Sequence, residues 1–507
     1  MLKFKPYNQD QLMLFPLDIK KCLPVNHICH VINDVVDNLD ISYIEQTYSK
    51  NGAPSYNPRM FIKIIFFSYV RGIRSSRKIE ELSFENIVYR YLSANQQPDH
   101  GTINLFRKTH FLNLENLFAQ IVRLCNDLKI TNPTDISIDG SIFRANASKK
   151  ATHDQKEIDK LKKKFRKMLE QAEKIDEQED KEYGKDHSYN EIPEKLKDPK
   201  TRQKKIKQLL EKLSKLKTAK QAIEEKQQNV KTSQDKMLLK NKTFNTTDSQ
   251  ANLMKMKNGE TFQPAYNGQI ATSKQIILAY DIVEDESNSL LPMIEITENN
   301  TKKKVEKVKA DSGYFSKQNI DKINEKEIDA YIPDQRKSIE ENQKRNNEIP
   351  EYDRRNFVYN QEKDEFICPQ NQRLPIVRTD QGTKKYIGTN CMDCLYKAKC
   401  AKGKNRYISY NPELEQLKIK MREKLNSKVG KAKYLERMSD VEPVFGNIIY
   451  NQKANSFLCR GKPKVKIEFG LVCIAHNLVK ISNWIKKENK NIKKLQLATL
   501  MRLPVIA

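Results

Sequence analysis

A chain of 507 residues allows roughly three domain-sized units. It carries 92 Lys and Arg against 65 Asp and Glu, a formal net charge of +27, which points to a polyanionic partner, nucleic acid first. The other reading of that excess is a soluble chain whose Lys, Asn and Ile content follows base composition. No sustained apolar stretch opens the sequence. The most apolar run, 60-MFIKIIFFSYV-70, is too short to cross a bilayer and contains Lys63. No export signal or membrane span is therefore expected, and the protein should be cytoplasmic. Its cysteines, 9 in all, are then thiols or metal ligands rather than disulfides.

Residues 1–130 read as helical. The segment 57–94 is apolar at helical spacing until Gly72, Ser75 or Ser76 suits the cap of a second helix, and Thr102 that of a third. Arg71, Arg74, Arg77, Lys78, Arg107 and Lys108 cluster near the turns, a pattern compatible with a DNA-binding helical domain. Residues 135-DISIDG-140 read as a strand. A charged insertion over 150–245 follows, with Ile158, Leu161, Phe165, Met168, Ala172 and Ile175 three and four apart, and a second run from Ile206 to Ile223. This predicts an antiparallel helical hairpin. Residues 266–273 and 275–283 then predict a β-hairpin, 289–299 a helix, 304–316 a strand and turn, 317–326 a helix and 328–333 a strand. That alternation means mixed α/β. Asn411 and Pro412 open a helix to about 430, and 467–485 is a strongly apolar one. The expected units are 1–130, 131–334 with the insertion, a cysteine module over 335–410, 411–490, and a basic tail over 491–507.

The polar segment 335–410 holds Cys368, Cys391, Cys394 and Cys400. A C-x2-C knuckle points two thiolates at one ion, and four such ligands close a structural Zn²⁺ site; the alternative is four reduced thiols. Cys125, Cys459, Cys473 and His476 lie in apolar helical surroundings and read as core.

Two acids remain. Asp139 ends the apolar alternation of Ile136 and Ile138, and Asp311 that of Val305 and Val308. Small residues follow each, Gly140-Ser141 and Ser312-Gly313. Taken alone, either is a turn residue. Taken as a pair at neighbouring strand ends, they repel unless a divalent cation sits between them. Glu436, Asp440 and Glu442 are candidates for a third acid. Ser439 to Glu442 is also a capping-box spacing, and Pro443 suits a helix start.

The motifs in order resemble the DDE transposases of bacterial insertion sequences: 138-IDGSIFRANAS-148, 266-YNGQIA-271, 309-KADSGYFS-316, 441-VEPVFGNI-448 and 459-CRGKPKVKIEFGLVCIAHNLVK-480, behind an N-terminal block over 23–107. The resemblance implies a ribonuclease-H-like mixed sheet with a helical N-terminal domain, the helical-hairpin insertion and a zinc-ribbon-like cysteine module. It also implies catalytic, metal-holding Asp139, Asp311 and Glu442, two Mg²⁺ or Mn²⁺ ions, and DNA contacts from Tyr434 and Arg437. The implied activity is cleavage at the element's terminal repeats and transfer to target DNA by a dimer or larger assembly. Family members carry a Lys seven residues after the Glu; here that position is Ile449 and the next basic residue is Lys453. The departure leaves a second reading, a catalytically inactive DNA-binding derivative.

Overall fold

The computed structural model describes residues 18–49, 54–153, 244–256, 261–335, 351–380 and 382–488, with isolated positions between 157 and 167. The charged hairpin and the basic tail lie outside the described residues.

Helices α1 (Ile28–Asn38), α2 (Ser42–Glu45), α3 (Pro58–Val70), α4 (Ser76–Glu85), α5 (Ile87–Leu92), α6 (His100–His110) and α7 (Leu114–Asp127) form the N-terminal part. Pro58 starts α3 and the Asn57 side chain caps it from the Arg59 N–H. Its apolar residues are buried on every side, while Lys63 escapes to Asp37 at 2.6 Å and Asn33 at 2.8 Å. The cap of α6 is Asp99 rather than Thr102. Asp99 accepts from the Thr102 N–H at 2.9 Å, because a carboxylate two residues before the first free amides reaches them better than a hydroxyl already inside the turn.

The main sheet has six strands: β1 (Asp135–Arg144), β4 (Asn252–Lys255), β5 (Phe262–Ser273), β6 (Ile276–Val283), β7 (Lys307–Lys309) and β8 (Asp329–Tyr331). Between β1 and β4 a two-stranded ribbon, β2 (Thr152–His153) and β3 (Phe244–Asn245), closes the root of the insertion. Strand β5 carries antiparallel β1 along one edge and β4 and β6 along the other, while β7 and β8 continue from β1 in parallel. The predicted hairpin is β5–β6, turning on Lys274 at φ 49° and Gln275 at φ 64°. Helices α8 (Leu290–Thr301) and α9 (Lys317–Glu325) connect β6, β7 and β8. The fold is mixed α/β, with a sheet order consistent with a ribonuclease-H-like transposase core.

One expectation is corrected in β1. Asp139 does not end the strand; it pairs with Ile270 in mid-ladder, and the strand runs on to Arg144. Gly140 permits this. A Cβ there would meet the Gln269 amide nitrogen at 2.0 Å, so its missing side chain makes room for Gln269.

Five short antiparallel strands, β9 (Val358–Asn360), β10 (Glu365–Ile367), β11 (Arg373–Asp380), β12 (Thr383–Ile387) and β13 (Tyr407–Tyr410), make a second sheet. Its own small core is Phe357, Phe366, Leu374, Tyr386 and Ile408. The turn α10 (Lys397–Cys400) ends at the last of the four cysteines. Helix α11 (Pro412–Asn426) is capped by Asn411 from the Leu414 N–H, as expected. Helix α12 (Lys428–Gly446) then swallows the whole 434–446 segment, so Ser439 and Glu442 are interior helix residues and form no capping box. The cap is Ser427, twelve residues upstream of the one anticipated. Pro443 sits inside α12, which passes into a π-type turn over Asn447–Asn451.

The last helix, α13 (Lys462–Lys487), packs on α3, α7 and β6 and ties the N-terminal helices and the main sheet into one core. Its Asn477 bonds both backbone groups of Ile277. His476 is fully buried between Asn447 and the Gln275 carbonyl, and burial pushes its imidazole down to about 4, so it is a neutral core residue.

Candidate active site

Because β1 and β7 are parallel, with Ser137 paired to Lys309, Asp139 and Asp311 both lie two residues past that pair. Asp311 leaves the strand end into a tight turn, where its Oδ1 accepts the Gly313 N–H at 2.8 Å. A third acid comes from the β6–α8 junction. One carboxylate oxygen from each of Asp139, Glu286 and Asp311 lies within 4.8 Å of the other two. Among the described residues this is the one group of three or more His, Cys, Asp or Glu that close. Gly313 fits between: a Cβ there would stand 3.0 Å from Asp311 Oδ1 and 3.2 Å from Glu286 Oε2.

Burial, then the charges of Asp311 and Asp139, push the Glu286 carboxyl above its ordinary range, while hydrogen bonds from Gln269 and Tyr314 pull the other way. Tyr314 is itself buried and donates to Gln269 Oε1. Three half-buried acids at this spacing repel one another, and oxygen-ligated divalent cations relieve that repulsion. The donor set fits a hard ion.

Helix α12 supplies a cation. Arg437 Nη1 lies 3.0 Å from Asp139 Oδ2, with both side chains mostly buried, and its guanidinium lies near the Tyr434 ring. Arg437 Nε is buried without a hydrogen-bond partner. The roll of α12 on the sheet is fixed a short step away. There Lys309, 3% exposed, reaches Asp135 at 2.7 Å, Glu436 at 3.3 Å and Asp440 at 3.8 Å. Lys433 joins Asp135 and Glu436, and Ser137 Oγ donates to Asp440. Of the candidate third acids, Glu436 and Asp440 are thus held by lysines. Glu442 is exposed and outside the 4.8 Å group, about 140° round the helix from Arg437.

The basic N-terminal residues divide. Arg71, Arg77, Lys78 and Lys108 are exposed, with Lys78 paired to Glu81. Arg74 instead lies at the seam with α13, 2.9 Å from Glu468, and donates to the Ser456 and Lys453 carbonyls. Glu468, 2% exposed, also accepts the Leu458 and Cys459 N–H groups. Arg107 donates to the Arg74 carbonyl and lies over Tyr69. The sequence shows six basic residues near turns; the fold turns two of them inward.

Burial, and after it the charges of Cys391, Cys368 and Cys394, raise the Cys400 thiol, while Arg406 lowers it. Backbone N–H groups of Gln372 and Arg406 point at the sulfurs of Cys368 and Cys391, at 3.3 and 3.4 Å. No three of the sulfurs lie within 4.8 Å of one another.

Glu286 is the residue missed from sequence. Its signal was the acidic run 284-EDE-286 between a predicted strand and a predicted helix, a junction that delivers side chains to the same sheet end as Asp311.

A mixed α/β sheet thus brings together acids from β1, β7 and the β6–α8 junction. Two family models match the chain: a transposase domain (DUF772) over residues 17–109 and a transposase DDE domain over residues 367–482. These two matches support a DDE transposase of an insertion sequence. The second match takes in the cysteines, Tyr434, Arg437 and Glu442; Asp139, Glu286 and Asp311 lie outside both. No curated protein and no solved structure matches the chain. No described helix is long and apolar enough to cross a membrane.

Proposed function

We propose that the protein binds the terminal repeats of an insertion sequence and carries out divalent-metal-dependent DNA strand cleavage and strand transfer. The observation that carries this is the convergence of Asp139, Glu286 and Asp311 within 4.8 Å in a chain of this family. Bound Mg²⁺ would acidify a water for attack on the phosphodiester and stabilise the leaving 3′-oxygen. Asp139 and Asp311, from two adjacent strands, fix the ion-holding oxygens, and Glu286 adds a third from outside the sheet. Arg437 neutralises Asp139 in the free protein, and its guanidinium would turn to the phosphate of the bound strand once an ion takes over Asp139. Glu442, the acid in the family's third motif, joins only by a turn of α12 that releases the Lys309 network when DNA and metal bind. Without them a fourth carboxylate is better placed in water, where it is now.

The exposed Arg71, Arg77, Lys78 and Lys108 suit contacts to DNA phosphates. Two element ends must be brought together, so a dimer or larger assembly on DNA is expected. Cys368, Cys391, Cys394 and Cys400 suit one structural Zn²⁺, supported by the N–H groups aimed at two of the sulfurs; metal analysis should find one zinc per chain, lost in a Cys391→Ser, Cys394→Ser double variant. The second reading, an inactive DNA-binding derivative, is favoured by Ile449, which packs on the core where the family has a Lys. A strand-transfer assay with labelled element ends, a plasmid target and Mg²⁺ separates the two: the first requires joined product that vanishes with Asp139→Asn, the second gives binding without nicking.

A further inference from the structure

Where β1 ends, a cavity of about 560 Å³ opens between its last residues and the loop that leads into α13. Its polar lining includes Arg144, Asn146, Ser148, Gln263, Ser456 and Arg460. The loop is pinned to the strand: Arg144 forms a bridge with Ser456, and Phe457 N–H donates to the Arg144 carbonyl at 2.8 Å. Arg460 Nε donates to the Asn146 carbonyl at 2.9 Å, and Asn146 in turn donates to the Leu458 carbonyl at 2.6 Å. These bonds fix the guanidinium of Arg460 beside the cavity while leaving donors of its fork for another acceptor.

Among the described residues no carboxylate lines the cavity. Asp248, next in sequence to the lining residue Thr247, is 3% exposed and taken up by the Tyr266 hydroxyl and the Gly461 N–H. Lys149 and Lys150 stand exposed just past Ser148, and Lys464 in the first turn of α13. Arg144 is exposed as well. Two guanidinium groups among hydroxyls and amides make a site for an anion whose oxygens accept several hydrogen bonds at once. The cavity lies on the same strand as Asp139, five residues on, or roughly 17 Å along it.

We propose that this cavity is an anchor for the phosphodiester backbone of the DNA strand, about five nucleotides from the bond being cut. The inference rests on the transposase reading and adds where the strand is gripped. The shared chemistry, a phosphate, has a second source in free inorganic phosphate, so the test carries both.

The full chain is titrated by fluorescence anisotropy with a labelled duplex of about 30 base pairs at several salt concentrations. The variants are an Arg144→Gln, Arg460→Gln pair and, separately, Ser148→Asp. The second keeps the side-chain oxygen that accepts the Lys150 N–H while adding a negative charge, so its fold should survive. The expected result is a tenfold or greater loss of affinity in both, with the pair's salt dependence shallower by about two. Unchanged affinity and slope in both variants, with the wild type binding DNA, would overturn this anchor and leave the transposase reading standing. A wild type that binds no DNA overturns both. Inorganic phosphate should displace the duplex no better than chloride at equal ionic strength. Phosphate-specific displacement that disappears in the pair would make this a free-phosphate site and also overturn the strand assignment.

Discussion

Two groups of three carboxylates sit four residues apart on β1, and they are resolved in opposite ways. At Asp135, Glu436 and Asp440 the chain brings its own cations, the buried Lys309 and the half-exposed Lys433. At Asp139, Glu286 and Asp311 one guanidinium, Arg437, reaches one acid, and Glu286 is left with a raised carboxyl pKa. A closed ion network is a clamp: it fixes how α12 lies on the sheet. A group whose charges are under-compensated suits the divalent ions proposed for it. The comparison shows why an acidic cluster near a strand is not by itself a metal site; the lysine count beside it decides.

Swapping acids should separate the two groups most strongly in activity. Asp139→Asn, Asp311→Asn and Glu286→Gln should each lower Mg²⁺-dependent cleavage by about a thousandfold, roughly 4 kcal/mol in barrier, measured as single-turnover nicking of end DNA. Glu442→Gln should lose as much cleavage yet leave Mn²⁺ affinity of the DNA-free protein within about twofold, whereas Glu286→Gln should weaken it about tenfold, read by calorimetry. Equal effects of both on DNA-free metal binding would erase the distinction between a resident and a recruited carboxylate.

The clamp should show in stability. Lys309→Met leaves Asp135 and Asp440 without their buried partner and should cost about 3 kcal/mol, read as a lower urea midpoint at unchanged slope. Should that variant be as stable as wild type, the network is no clamp. Arg437→Gln acts at the other group. It removes the cation that competes for Asp139, so Mn²⁺ should bind about tenfold tighter without DNA while cleavage falls.

The smallest effect is in pH. The Glu286 carboxyl is raised in the folded state, so the folded form binds its proton more tightly than the unfolded one. Its contribution to stability is then fully present below the ordinary glutamate pKa and is lost as pH rises from there through the raised value. Metal-free protein should lose stability across that window, and Glu286→Gln should flatten the loss. Saturating Mn²⁺ should reverse the slope, because the ion needs the ionised form.

Much of this was legible in the sequence where the physics is local. The β5–β6 hairpin, the cap at Asn411 and the apolar helix α13 follow from side-chain period and from short-range hydrogen bonding. The pairing of Asp139 with Asp311 followed from two similar motifs, yet their settings differ. One is held in mid-strand because Gly140 admits Gln269, and the other turns out at a strand end. Glu286 was overlooked because nothing in 284-EDE-286 says which acid faces the sheet.

The sequence by itself determined the order of elements, the family motifs and two of the three acids that meet, because each is written within a few residues. Tertiary structure alone decided the rest. It drew Glu286 to the site through the β6–α8 junction, turned Arg74 inward to the buried Glu468, and set the roll of α12 by the Lys309 network, with Arg437 on Asp139 and Glu442 in solvent. Those outcomes depend on which charges can be desolvated together, and that is settled by partners 25 to nearly 400 residues apart in the chain.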